Sequence, residues 1–232
     1  MSAEIDSYKQ LAGRAAADVV ESGMLVGLGS GSTAAFAVAA IAERLRAGAI
    51  KGIHGIPTSD QTEAQAIELG IPLADLNDYS GIDLSIDGAD EVDPALNLIK
   101  GGGGALLREK IVAQASRRNI IVVDPGKLSP TLGTNFALPI EVAPFGWRML
   151  LDFVTGLGAR VALRYRGDDE PYLTDQGNYV LDANFGPIAD PHALSRALEG
   201  RPGVLEHGLF LGLATDLIVG GPDGVEHRGP AA

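Results

Sequence analysis

Four segments hold the residue types that chemistry at a carbonyl or a phosphate requires. The first is Gly29-Ser30-Gly31-Ser32-Thr33. Glycines let backbone amides turn toward an anion, and the positive end of a following helix reinforces them. Ser30, Gly31, Ser32 and Thr33 are therefore candidate phosphate ligands. The second is Asp87-Gly88-Ala89-Asp90-Glu91. Asp87 and Asp90, three residues apart with Gly88 and Ala89 between them, suit the holding of hydroxyls or the exchange of protons. The third is Lys100-Gly101-Gly102-Gly103-Gly104, running into Arg108-Glu109-Lys110. Four consecutive glycines cost much chain entropy where a turn needs one or two. They are expected to lie against a ligand, with Gly101, Gly102 and Gly103 offering amides to an oxyanion beside the charge of Lys100. Glu109, one helical turn on, is the candidate base, although Arg108-Glu109-Lys110 alone has the look of a solvated helical face. The fourth, Asp124-Pro125-Gly126-Lys127, contributes one cation, Lys127.

Other chemistries fit poorly. Read as a dinucleotide fingerprint from Gly27, the third glycine position holds Ser32, and Gly55-Ile56-Pro57 stands where a ribose-binding acid belongs. No Gly-Lys-Ser/Thr marks a nucleoside-triphosphate loop. The acids lack calcium-loop spacing, and His54, His192, His207 and His227 are scattered, so no metal site is expected. Cysteine is absent, which excludes a thiol nucleophile and a disulfide framework. With 18 basic and 30 acidic residues the net charge is −12, which opposes binding to nucleic acid or anionic membranes. Met1-Ser2-Ala3-Glu4-Ile5-Asp6 is acidic and polar, so no secretory leader is expected. The uncharged stretch from Gly23 to Ala42 approaches a membrane span in length, but its central glycines and hydroxyls divide it into strand, loop and helix.

Elements must place these segments together. Helices are expected at 8–21, 32–46, 60–69 (capped by Ser59) and 105–116. Short apolar strands at 24–28, 51–56, 84–86 and 120–123 alternate with them. That alternation implies an α/β fold: a Rossmann-like, mostly parallel sheet covered by helices, with the four loops at strand ends. Beyond Pro130 the pattern changes to an inserted smaller α+β domain at 131–206, the main domain being 1–130 plus 207–232. Strands are expected there at 139–142, 161–165, 172–174 and 179–184, the last two joined as a hairpin through Asp175-Gln176-Gly177-Asn178. Helices are expected at 146–157 and from Asp190-Pro191, and 204–210 reads as extended. Leu217-Ile218-Val219 is expected to rejoin the main sheet, before a polar tail.

The ordered set of segments resembles the type A ribose-5-phosphate isomerases. It includes Gly27-Leu28-Gly29-Ser30-Gly31-Ser32-Thr33-Ala34, Thr58-Ser59-Asp60-Gln61-Thr62, Asp87-Gly88-Ala89-Asp90-Glu91 and Ile99-Lys100-Gly101-Gly102-Gly103. Arg108-Glu109-Lys110, Asp124-Pro125-Gly126-Lys127, Thr174-Asp175-Gln176-Gly177-Asn178, Pro202-Gly203-Val204 and Gly221-Pro222-Asp223-Gly224 continue it. The resemblance implies interconversion of ribose 5-phosphate and ribulose 5-phosphate in the non-oxidative pentose phosphate pathway, without cofactor or metal. It implies that Ser30–Thr33 and Lys127 contact substrate and that Asp87 and Asp90 bind hydroxyls and assist ring opening. Lys100 and the 101–103 amides would stabilise an enediolate, and Glu109 would carry the proton between C2 and C1. A cytoplasmic homodimer or homotetramer is expected. Gly126 stands where the family has a small hydroxyl residue, which would loosen that loop, and Asn135 and Pro144–Trp147 also depart from its pattern. The rival reading is a sugar-phosphate sensor of similar fold without turnover.

Overall fold

The computed structural model describes residues 2–167 and 169–229. From the N-terminus run α1 (Ser2–Ala17), β1 (Leu25–Leu28), α2 (Ser32–Arg46), β2 (His54–Pro57), α3 (Asp60–Leu69) and β3 (Leu84–Asp87). Next come β4 (Glu91–Val92), β5 (Leu98–Ile99), α4 (Leu106–Ala115), β6 (Asn119–Val123), β7 (Leu138–Val142) and α5 (Trp147–Gly156). Then come β8 (Arg160–Leu163), β9 (Tyr165–Arg166), β10 (Glu170–Pro171), β11 (Tyr179–Asn184) and α6 (Pro191–Glu199). The chain closes with β12 (Val204–His207), β13 (Leu209–Phe210), β14 (Asp216–Gly221) and β15 (Gly224–Arg228). They form two compact units, one from the described parts of 1–89, 108–127 and 212–232, the other from 90–107 and 128–211.

The first unit is built on a sheet in the order β15-β14-β6-β3-β1-β2. All neighbours pair in parallel except β15, which is antiparallel to β14. Alternation along the strands explains its two covered faces. Val26, Leu28, Leu84, Ile86, Ile120, Val122 and Ile218 pack with Ala12 and Ala16 of α1 and Ala37 and Ile41 of α2. Leu25 and Ile56 turn the other way and, with Ile82, meet Val112 of α4. Chain order reverses at β1, whose neighbours are β2 on one side and β3 on the other. The crevice beyond the carboxyl ends of β1 and β3 is thus the switch point, where ligands bind in such sheets. Gly23 to Ala42 divides into β1, a loop and α2, and among the described residues no helix is long and apolar enough to cross a membrane.

The second unit carries a four-stranded antiparallel sheet, β12-β7-β11-β8. Its chain order β7-α5-β8-β11-α6-β12 is a split β-α-β, ferredoxin-like arrangement. Leu150 and Val154 of α5 and Leu198 of α6 close its core over Ile140, Val142 and Leu181. Asp190 caps α6, its Oδ1 accepting from Ala193 N at 2.9 Å.

Four expectations need correction. Residues 172–174 do not form a strand; β10 pairs with β9, and β11 pairs with β7 and β8. The turn at 174–178 does form, closed by Thr174 N on Asn178 O at 2.9 Å, and the side chains of Thr174 and Asn178 donate to the buried Glu141. The extended run 204–210 splits at Gly208 between two sheets. The polar tail is partly β15, an edge strand whose exposed Glu226, His227 and Arg228 hide it from a hydropathy reading; Pro230, Ala231 and Ala232 lie outside the described residues. Residues 90–107, placed by the strand–helix pattern with the main domain, group with the second unit because β4 and β5 pair with each other and β5 with β13.

Candidate active site

In the first unit the Gly29–Thr33 loop extends from β1 and opens the fifteen-residue α2. Gly31 is its N-cap with φ 90°, and no side chain caps the helix. The first-turn amides are thus not engaged by a capping side chain, the condition under which a helix start can take an anion. Gly31 and Ser32 are exposed and Thr33 is buried. Asp87, 7% exposed at the end of β3, accepts from Ser30 N at 3.0 Å and from Gly88 N at 2.7 Å. Its approach dictates Gly29, where a Cβ would meet the Asp87 Cα at 2.5 Å.

Ser30 Oγ lies 2.8 Å from Thr58 Oγ1, 2.7 Å from Ser59 Oγ and 3.3 Å from Thr62 Oγ1. Thr62 Oγ1 in turn donates to Gly29 O at 3.1 Å. Ser59 also caps α3, its side chain accepting from Thr62 N. This hydroxyl cluster locks Ser30 in place. The sequence signals only its capping member, because the other contacts join strand ends thirty residues apart.

Glu109 is 6% exposed in the first turn of α4, and Lys110 is buried beside it. The solvated-face pattern of Arg108-Glu109-Lys110 is therefore misleading: only Arg108 reaches the surface, paired with Asp60 at 2.7 Å. Lys127 ends a 3-10 turn after β6, the strand beside β3. Asp124 Oδ1 accepts from Gly126 N at 2.9 Å, and Lys127 N donates to Asp124 O at 3.1 Å. These bonds close the loop around Gly126.

The second unit holds Asp90, Lys100 and the glycine run. Asp90 Oδ2 accepts from Gly102 N at 2.7 Å, so that amide is committed within the loop. Lys100 is 3% exposed, its Nζ 5.6 Å from the Phe210 ring centroid and its N–H bonded to Gly208 O. The glycines have separate reasons. Gly101 and Gly104 have φ of 102° and 79°, while a Cβ on Gly102 would meet Asp90 Oδ1 at 2.7 Å. A Cβ on Gly103 would meet nothing within 4 Å. Glu91 is no substrate acid: fully buried, it accepts from the N–H groups of Gly133, Thr134 and Asn135. Ala89 is a half-buried spacer. Among the described residues no three His, Asp or Glu cluster as metal ligands would.

Fold and residues define an α/β protein with a doubly wound sheet whose carboxyl-end loops bury charged groups. Residues 54–224 match the family model of ribose 5-phosphate isomerase A (phosphoriboisomerase A). The chain is 57% identical over 222 residues to ribose-5-phosphate isomerase A of Chloroflexus aurantiacus, covering 96% of this chain and 93% of that one. The solved ribose 5-phosphate isomerase of Plasmodium falciparum superposes with a TM-score of 0.94 at 38% identity, over 98% of this chain and all of that one. A D-ribose-5-phosphate isomerase in complex with phospho-erythronic acid superposes at 0.93 with 41% identity, over 95% and 97%. The chain belongs to the ribose 5-phosphate isomerase A family and is an isomerase.

Proposed function

We propose that the chain interconverts D-ribose 5-phosphate and D-ribulose 5-phosphate through an enediolate, within the non-oxidative pentose phosphate pathway. The carrying observation is the match to ribose 5-phosphate isomerase A relatives over nearly the whole chain, the matched segments including the buried Asp87, Lys100 and Glu109. Substrate phosphate binds the uncapped amides of α2, the hydroxyls of Ser30, Ser32 and Thr33, and Lys127. Asp87 and Asp90 bind ring and chain hydroxyls and assist opening. Glu109 takes the proton from C2. The C2–H electrons form the C1–C2 double bond, and the former carbonyl oxygen on C1 gains the charge. Lys100 and the amides of Gly101 and Gly103 stabilise that oxygen, the Gly102 amide being held by Asp90. The proton returns to C1, the O2 proton passes to O1, and the ketose results. A positioned base and an oxyanion site are both needed because the C2 proton is weakly acidic.

Phospho-erythronic acid, bound by one structural relative, carries a planar carboxylate next to a hydroxyl-bearing carbon. An enediolate has the same run of oxygens, which supports this assignment. The sensor reading has no observation in its favour.

The chemistry calls for neither redox cofactor nor metal, and the protein acts in the cytoplasm as a homodimer or homotetramer. Exposure of Phe145 at 96%, with Met149 nearby, supports an apolar contact between copies; light scattering that shows a monomer at micromolar concentration refutes it. The activity is tested by a coupled assay on ribose 5-phosphate with EDTA present. The parent should turn over, and Glu109→Gln should lose at least ~10²-fold in kcat with little change in KM. An inactive parent ends the enzyme reading, and an active Glu109→Gln removes Glu109 as the base.

A further inference from the structure

Residues 101–104 have no side chains, and the one bond made inside the loop, from Gly104 N to Gly101 O at 3.0 Å, fixes its ends and not the peptide between Gly102 and Gly103. Three consecutive carbonyls are nevertheless all held. Arg164 Nη1 donates to Gly101 O and to Gly102 O, each at 3.0 Å. Tyr172 Oη donates to Gly103 O at 2.9 Å, and its ring lies so close that a Cβ on Gly104 would meet Tyr172 Cε1 at 2.5 Å. In a trans peptide the C=O and the following N–H point in opposite directions. Holding Gly102 O on the guanidinium therefore turns Gly103 N–H away from it. That amide donates to no described residue, and the α-carbon of Gly103 faces open space.

The holding groups are themselves fixed. Arg164 Nε donates to Asp182 Oδ2 at 2.9 Å and Nη2 donates to Asp182 Oδ1 at 2.5 Å, a two-point grip that a lysine cannot reproduce. The guanidinium lies 5.6 Å from the Tyr172 ring centroid. Arg164 N bonds Val180 O, and Tyr172 N bonds Arg164 O, so both side chains hang from the antiparallel sheet. Burial pushes the Tyr172 phenol above its ordinary value despite the opposing Arg164 charge, which keeps it a donor at neutral pH.

We propose that Arg164, gripped by Asp182 and assisted by Tyr172, is a positioning device that aims the Gly103 amide at the enediolate oxygen. A cation on the carbonyl side also polarises the peptide and strengthens its N–H as a donor. Neither side chain is placed on the substrate. The inference rests on the isomerase reading and on an oxyanion role for the loop.

The test compares Arg164→Ala, Arg164→Lys and Tyr172→Phe in the purified full chain. Removing one oxyanion donor lowers kcat by about 10²–10³-fold. Arg164→Ala should approach a ~10²-fold loss, and Arg164→Lys and Tyr172→Phe should lose about tenfold, with KM within about twofold of the parent. Ethylguanidinium in solution should restore part of the Arg164→Ala turnover and none of that of Glu109→Gln. Where Arg164→Ala melts early, Tyr172→Phe decides, since it removes one hydroxyl and keeps the ring. Parental kcat in folded Tyr172→Phe and Arg164→Lys overturns the proposal, as does a change confined to KM. An inactive parent overturns the isomerase reading itself, whereas an active parent that needs Glu109 but tolerates these substitutions overturns this inference alone.

Discussion

The protein carries two glycine-rich loops that present backbone donors, and it orients them by different means. Gly29–Thr33 is aimed by the helix directly after it: Gly31 ends the loop, α2 begins, and the first-turn amides point out along the helix axis. In Lys100–Gly104 the carbonyls of residues 101–103 are held by residues 62 to 69 positions away along the chain, the side chains of Arg164 and Tyr172. A helix end is a standing charge that suits a ligand present throughout the reaction, such as a phosphate. Successive peptides whose carbonyls are held by two side chains suit an oxygen whose charge develops only in passing, where misaiming is costly. Under the proposed function, this contrast assigns binding to the first loop and turnover to the second.

Gly29→Ala should give the largest effect. A Cβ there meets the backbone of Asp87, which cannot yield as a flexible side-chain end would. Overpacking of this kind costs about 1–3 kcal/mol, and kcat/KM should fall by more than ~10²-fold as Asp87 and Ser30 separate. A variant with parental activity would show that the Asp87–Ser30 contact is dispensable.

Lys127→Ala comes next and tests the binding half. Losing a charged hydrogen bond costs about 1.5–3 kcal/mol, a rise in KM of roughly ten- to a hundredfold, with kcat little altered. If kcat falls and KM holds, the division of labour between the loops is wrong.

Gly103→Ala tests the turnover half with a smaller change. Because nothing stands within 4 Å of the added methyl, the melting temperature should stay within about a degree while kcat falls about tenfold. Parental turnover would mean that the open side of Gly103 faces no reacting atom.

The same contrast explains what the sequence discloses. The bounds of α2 and α3 are legible to the residue, because a glycine N-cap and the Ser59 cap are local signals. The strand-end position of each loop is legible from the alternation of strand and helix. The hydroxyl cluster of Ser30, Thr58 and Thr62 is only half legible, since its contacts cross between strands. Arg164, Tyr172 and Asp182 carry no local signal at all: in sequence they are ordinary polar residues in or beside short strands. The two-residue β4 and β5 are too short for any periodicity, which is why 90–107 reads as part of the wrong unit.

The smallest expected effect concerns the anchor of the strap that carries Tyr172. Glu141, fully buried on β7, accepts at Oε1 from Thr174 Oγ1 at 2.8 Å and from Asn178 Nδ2 at 2.9 Å. Its Oε2 is buried without a hydrogen bond among the described residues. Burial raises its pKa above the ordinary 4.5, outweighing the two hydrogen bonds that lower it, and Glu206 and Asp175 add to the rise. The folded state therefore holds this proton more tightly than the unfolded chain does. Its contribution to stability is fully present below 4.5 and is lost as pH rises through the folded-state value. Glu141→Gln keeps the Oε1 acceptor and removes the charge. Variant and parent should melt together near pH 4, and at pH 8 the variant should melt higher by about 2–4 °C, the shift that ~1 kcal/mol gives in a chain of this size. Because Thr174 and Asn178 stay anchored, kcat should not change. A variant that melts lower than the parent at pH 8 would mean that the two donors stabilise the carboxylate more than burial penalises it, and a fall in kcat would make the charge of Glu141 part of what holds Tyr172 on Gly103.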